Sequence, residues 1–230
     1  MLSNTRSLIR VAGTRPLVKI CGNLFFEDSL QVAACRPDFM GWIFSPRSKR
    51  RVTIEAARQQ IESIYRQWPE IHHVAVFASN PIPYILSVVE AIPHFDFVQT
   101  SDGPGVVSEV REMLRGYMDV IPAFRVKEKI ADPGLSAFMP ADWVLLDSYV
   151  PGKPGGTGVT LDPAWVSHVE KRFLLAGGLT PTNVVDALRK TGAWGADVSS
   201  GVESGETPGR KDLTRVREFV RLVKSIQVSR

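Results

Sequence analysis

Cysteine is scarce in this chain of 230 residues: only Cys21 and Cys35 occur. Two thiols suggest neither a disulfide framework nor a zinc site, and the chain reads as a reduced, cytoplasmic protein. No apolar stretch approaches the roughly 20 residues that cross a bilayer, which argues against a membrane role. The basic residues are not gathered into a long patch with interleaved aromatics, which argues against nucleic acid. A formal charge of +4 favours small anionic ligands such as phosphates or carboxylates instead. The first sixteen residues lack any acidic side chain and carry Arg6, Arg10 and Arg15. They are read as a leader, either a fragment of an organelle-targeting peptide or, preferably, a short flexible segment before the first strand.

What the chain has is a cadence. Short apolar runs near 17–21, 39–44, 72–77, 96–100, 118–125, 143–147, 172–176 and 195–199 alternate with helix-length segments. The runs are short and largely apolar, and no tight hairpin turn joins them, as expected of parallel strands buried on both faces. In segment 54–68, Ile54, Ala57, Ile61, Ile64 and Trp68 make one apolar stripe, and Leu213, Val216, Phe219, Val220 and Val223 make another. Asn80-Pro81, Asp162-Pro163 and Thr180-Pro181 are expected to cap three helices. Segment 127–140 holds Asp132-Pro133-Gly134 and Pro140, so the fifth helix should be short or irregular. No linker divides residues 17–230. The count reaches eight, and the first strand lacks a G-x-G-x-x-G turn. The fold expected is therefore a single closed (β/α)8 TIM barrel of the α/β class rather than an open dinucleotide-binding sheet.

In such a barrel the chemistry sits at the C-terminal strand ends. Lys19 and Cys21 share one face of the first strand, where the ammonium is expected to lower the thiol pKa and make a better base. The alternative is an inert core cysteine. Asp147 closes an apolar strand, so burial should raise its pKa and let it keep a proton to donate; the alternative is a turn aspartate. Gly155-Gly156-Thr157-Gly158 comes after it as a mobile lid or a surface excursion. Gly177-Gly178 and Ser199-Ser200-Gly201 follow strands seven and eight, where such barrels often bind phosphate through backbone amides. In the cluster 47–51, a solvated turn and one arginine reaching into a pocket are both open.

The ordered set of these segments resembles the phosphoribosylanthranilate isomerase family of tryptophan biosynthesis. The carriers run from Val18-Lys19-Ile20-Cys21-Gly22 through Ser45-Pro46-Arg47-Ser48-Lys49-Arg50, Val98-Gln99 and Leu145-Leu146-Asp147-Ser148. They continue through Gly177-Gly178-Leu179 and Asp197-Val198-Ser199-Ser200-Gly201-Val202-Glu203 to Pro208-Gly209-Arg210-Lys211-Asp212. The resemblance implies an Amadori rearrangement of N-(5-phosphoribosyl)anthranilate, with Asp147 as general acid and Cys21 as general base. It implies that Arg50, Gln99 and Asp197 bind the substrate, and that Gly177, Gly178, Ser199, Ser200 and Gly201 take its phosphate. No metal or organic cofactor is implied, and the assembly would be a monomer or homodimer. One departure is visible: where the family usually reads Val-Gln-Leu-His-Gly, this chain reads Val98-Gln99-Thr100-Ser101-Asp102-Gly103, with Ser101 in the histidine's position. That change supports the competing reading, a non-catalytic or regulatory paralogue that binds a phosphorylated ligand. A sister isomerase of histidine biosynthesis is disfavoured, because it uses an aspartate where Cys21 stands.

Overall fold

The structure, a computed structural model, describes residues 15–126, 143–148, 162–166, 169 and 172–227. Eight parallel strands pair in sequence order and close on themselves through β1 and β8. They are β1 (Leu17–Cys21), β2 (Phe39–Ile43), β3 (His72–Phe77) and β4 (Phe95–Thr100), then β5 (Asp119–Val126), β6 (Trp143–Ser148), β7 (Arg172–Ala176) and β8 (Gly195–Val198). The barrel expected from the cadence is thus observed, each strand within a residue or so of its expected bounds. Closure removes both sheet edges, and the strand alternation then sorts every side chain into one of two cores.

Leu17, Phe39, Val74, Phe97, Ile121, Trp143, Leu145 and Leu174 fill the barrel interior. Their neighbours in sequence, such as Val18, Met40, Ala75, Val98, Val144 and Leu175, point outward beneath the helices. The described helices are α1 (Phe26–Ala34), α2 (Ile54–Gln67), α3 (Ile82–Ala91), α4 (Pro104–Met113), α5 (Val184–Thr191) and α6 (Leu213–Lys224). Helix α2 buries Ala57, Ile61 and Ile64, and α6 buries Val216, Phe219, Val220 and Val223, so both apolar stripes face the sheet. Fully burying each of these larger side chains is worth about 1.5–3 kcal/mol. Thr53 caps α2 by accepting from the Ala56 amide, and Asp212 caps α6 by accepting from Thr214 and Arg215.

Two expected caps do something else. Asn80 Oδ1 accepts from the Ala78 amide and its Nδ2 donates to Phe44 O, so it braces the β3 end while Pro81 precedes α3. Thr180-Pro181 opens a turn rather than a helix, and α5 starts after Asn183, whose side chain accepts from Thr180 N and donates to Gly178 O. Asp162 does cap, accepting from Ala164 N, but it caps a single 3-10 turn, Pro163–Trp165. The segment 127–140, the glycine loop 155–158 and leader residues 1–14 lie outside the described residues. Arg15, expected within that leader, forks onto Asp38 at 2.8 and 3.1 Å.

Candidate active site

At the C-terminal end of the barrel lies a cavity of about 550 Å³, lined by Cys21, Arg50, Gln99, Asp147 and Asp197 together with the loops after β7 and β8. The interior alternation explains why. In β1 it carries Leu17, Lys19 and Cys21 upward, and in β6 it carries Trp143, Leu145 and Asp147, so apolar residues fill the lower layers and polar ones the top.

Cys21 sits opposite Gly41 of β2. A Cβ at Gly41 would come within 2.8 Å of Cys21 Sγ and 3.2 Å of Lys19 Nζ, so that glycine makes room for both. Lys19 Nζ donates to Asp197 Oδ1 at 2.8 Å across the β1–β8 register, and the lysine is fully buried. Burial works against the ammonium, yet Asp197 and Cys21 outweigh it and hold its pKa above the ordinary value. For the thiol, the expectation of a lowered pKa is overturned. Burial pushes Cys21 up, Lys19 and Lys211 pull it down, Asp197 pushes it up again, and the net is above the ordinary value.

Asp147 behaves as expected. Burial, then the charge of Asp197, push its carboxyl up to about 6 against the opposing pull of Arg125. Arg125 is the register partner of Asp147 on β5. Gly177 backs Asp147 from β7: it has φ +88, and a Cβ there would fall 2.2 Å from Ser148 Oγ and 2.5 Å from Asp147 Oδ1. Gln99 is 7% exposed, and its Oε1 has no hydrogen-bond partner among the described residues. Ser101 lines the cavity at the β4 end.

The loops after β7 and β8 touch. A Cβ at Gly201 would lie 1.8 Å from Leu179 O, so only glycine lets the 3-10 turn Ser200–Val202 seat on the Gly177-Gly178 loop. The first bond of that turn comes from Val202 N, which leaves the Ser200 and Gly201 amides ahead of it. Ser199 Oγ is buried and unpartnered among the described residues.

Arg50 does reach the cavity, as one of the two readings of the basic cluster had it, and Arg47 lines it too. The Arg50 Nε and Nη2 fork onto Glu203 at 2.6 and 2.8 Å. Burial alone would raise Glu203, but Arg50 and Lys211 hold its carboxyl below the usual range. Lys211, fully buried, donates from Nζ to Cys21 O at 2.8 Å, Ser199 O at 3.2 Å and Glu203 Oε1 at 3.4 Å. Sequence reasoning assigned no role to Glu203, Lys211 or Arg125. Alternation through Ile121 and Ala123 places Arg125 on the interior face and would have found it; no local signal pairs Arg50 with Glu203, 153 positions apart.

A family model described as N-(5'phosphoribosyl)anthranilate (PRA) isomerase matches residues 18–222, a span that holds every residue of this cavity. The chain belongs to that family. An N-(5'-phosphoribosyl)anthranilate isomerase of Geotalea uraniireducens is 37% identical over 91% of this chain and 98% of its own length. The crystal structure of the phosphoribosyl anthranilate isomerase of Thermotoga maritima superposes with a TM-score of 0.79 at 28% identity, covering 92% of this chain and 100% of the other. Another structure of such an isomerase, in complex with reduced 1-(o-carboxyphenylamino)-1-deoxyribulose 5-phosphate, superposes with a TM-score of 0.75 at 26% identity, over 92% and 100% of the two chains. The family expected from the ordered motifs is therefore the one found, an isomerase of tryptophan biosynthesis. Among the described residues, no helix is long and apolar enough to cross a membrane.

Proposed function

We propose that this chain isomerises N-(5'-phosphoribosyl)anthranilate to 1-(2-carboxyphenylamino)-1-deoxyribulose 5-phosphate, with Asp147 as general acid and Cys21 as general base. Asp147 protonates the ribose ring oxygen, the C1–O bond breaks, and the anthranilate nitrogen's lone pair forms the C1=N bond of a Schiff base. Cys21, having first given its own proton to solvent, then removes the C2 proton as the thiolate. The released electron pair forms the C1=C2 bond as the C1=N electrons return to nitrogen, and the enolamine tautomerises to the ketose. The substrate's own nitrogen is the electron sink, so the steps balance with no added cofactor.

One observation carries this reading: a carboxyl raised to about 6 and a thiol flanked by two buried ammonium groups line the same cavity. A carboxylic acid of that strength keeps part of its proton near neutrality and gives it up readily. The thiol is a weak acid here, so its anion, once formed beside Lys19 and Lys211, is a strong base. Arg50 takes the anthranilate carboxylate, Gln99 uses its unpartnered carbonyl on the sugar, and Asp197 accepts from a sugar hydroxyl or the bridging nitrogen. Ser199 Oγ and the amides of Ser200 and Gly201 hold the phosphate, with the Gly177-Gly178 backbone closing the cradle. A cytoplasmic location suits two unpaired cysteines, one of them in the reaction.

Growth decides between this enzyme and a binding paralogue. Expressed in a bacterium lacking the isomerase, the chain should restore growth without tryptophan. Soluble expression with no rescue would favour a paralogue that binds a phosphorylated ligand without turning it over, with Ser101 as the departure behind it.

A further inference from the structure

A guanidinium carries five N–H donors in a planar fork, enough to hold two carboxylates at once. Glu203 occupies the side-on edge of Arg50, Nε with one hydrogen of Nη2. Among the described residues, the end-on edge, Nη1 with the other Nη2 hydrogen, is left for a second carboxylate. Arg50 is about a quarter exposed and lines the cavity, whereas Glu203 is nearly buried beside it.

Glu203 is itself fixed. It stands opposite Lys211 in an isolated antiparallel bridge, and Lys211 Nζ reaches its Oε1. Asp28 of α1 accepts from the Lys211 amide at 2.9 Å and from Arg210 at 2.8 Å, which ties the loop after β8 to the helix after β1. Gly22 completes the arrangement: a Cβ there would come 2.8 Å from both Arg50 Cδ and Ser199 Oγ, so the arginine stem passes directly over the glycine. A long side chain is thereby ordered before any ligand arrives, which lowers the entropy lost on binding.

Charge explains why a lysine accompanies the pair. Arg50 and Glu203 alone would cancel, and a neutral pair attracts an anion weakly. Burial pushes the Lys211 pKa below the ordinary lysine value while Glu203 opposes that shift; with its ammonium retained, two cations and one anion leave the trio with one net positive charge.

We propose that Glu203 is a specificity-determining positioning residue, holding Arg50 in the pose that presents its end-on edge to the substrate's aromatic carboxylate while Lys211 keeps the trio cationic. This rests on the assignment of Arg50 to that carboxylate, and the experiment separates the two. Calorimetry compares two ligands: reduced 1-(2-carboxyphenylamino)-1-deoxyribulose 5-phosphate and the same compound with a plain phenyl ring. Wild type should prefer the carboxylate compound, and Arg50→Ala should lose most of that preference. Glu203→Gln should cut it by roughly tenfold or more, as expected when a charge-assisted fork is mis-set. Affinity for the phenyl compound should stay within about threefold, a shift small on the same scale. Glu203→Asp keeps the charge but falls a methylene short, so it should lose the preference too, and it serves if the glutamine variant does not fold. A merely structural role would weaken both ligands together. Folded Glu203 variants that keep the wild-type preference, beside an Arg50→Ala that loses it, overturn this inference alone. Preference retained in Arg50→Ala overturns the Arg50 assignment and this inference with it.

Discussion

Asp147 is placed where its charge is a liability to the fold. A carboxyl raised from 3.8 to about 6 has its neutral form favoured on folding. The stabilisation from that neutral form is complete below the unfolded value of about 3.9 and is lost as pH rises through about 6. An asparagine side chain in its place would mimic the neutral form at every pH. Asp147→Asn should therefore be more stable than wild type by up to about 3 kcal/mol at pH 8, with the difference gone near pH 4. Urea unfolding at the two pH values measures this; equal stability at pH 8 would mean that the carboxylate is not desolvated. Cys21 makes the complementary case. With burial holding its pKa up, Cys21 should react with iodoacetamide more slowly than free cysteine at pH 7.5, its rate still rising at alkaline pH where that of free cysteine has levelled off. A Cys35→Ser background keeps that measurement clean; a rate equal to free cysteine would contradict the raised pKa, and a faster one would restore the lowered pKa that the sequence suggested.

At the level of elements, the sequence made the strands legible because each is a short, largely apolar run between helix-length segments. Both amphipathic helices were equally plain, since α2 and α6 bury the stripes their spacing marks. The caps were less so. Asn80 and Thr180 stand before prolines like any N-cap, but the Asn80 side chain binds the Ala78 amide and the Thr180 hydroxyl pairs with that of Thr182, and a local pattern cannot say which bond forms. The end of β7 offers a sharper test. Gly177→Ala would combine a left-handed φ with a clash against Asp147 and Ser148, whereas Gly192→Ala has φ +67 and open space around it. Strain together with the clash should cost Gly177→Ala at least about 2 kcal/mol, roughly 4–8 °C in Tm, and most of its activity. Gly192→Ala should lose only stability. Calorimetric melting beside steady-state rates separates them, and an active Gly177→Ala enzyme would show that Asp147 does not depend on that close approach.

Across the whole molecule, closure of the barrel brings together residues that no window of sequence connects. Lys19 meets Asp197 because β1 pairs with β8, and Arg50 meets Glu203 because the loops after β2 and β8 lean over the same opening. The thiol, carboxyl, arginine and phosphate loops could be named from strand-end position and from an ordered resemblance. The ion pairs around them could not, since pairing at that distance is a property of the fold. Burial also decided the sign for Cys21: a neighbouring lysine lowers a thiol pKa, but full desolvation outweighs it here. The most direct test is the rate at which purified enzyme consumes fluorescent phosphoribosylanthranilate, with Asp147→Asn and Cys21→Ser beside wild type. Each variant should lose about 10²–10⁴-fold in kcat with KM little changed, as for removal of a general acid or base. A variant that turns over at the wild-type rate would contradict the assignment of that residue to the chemistry.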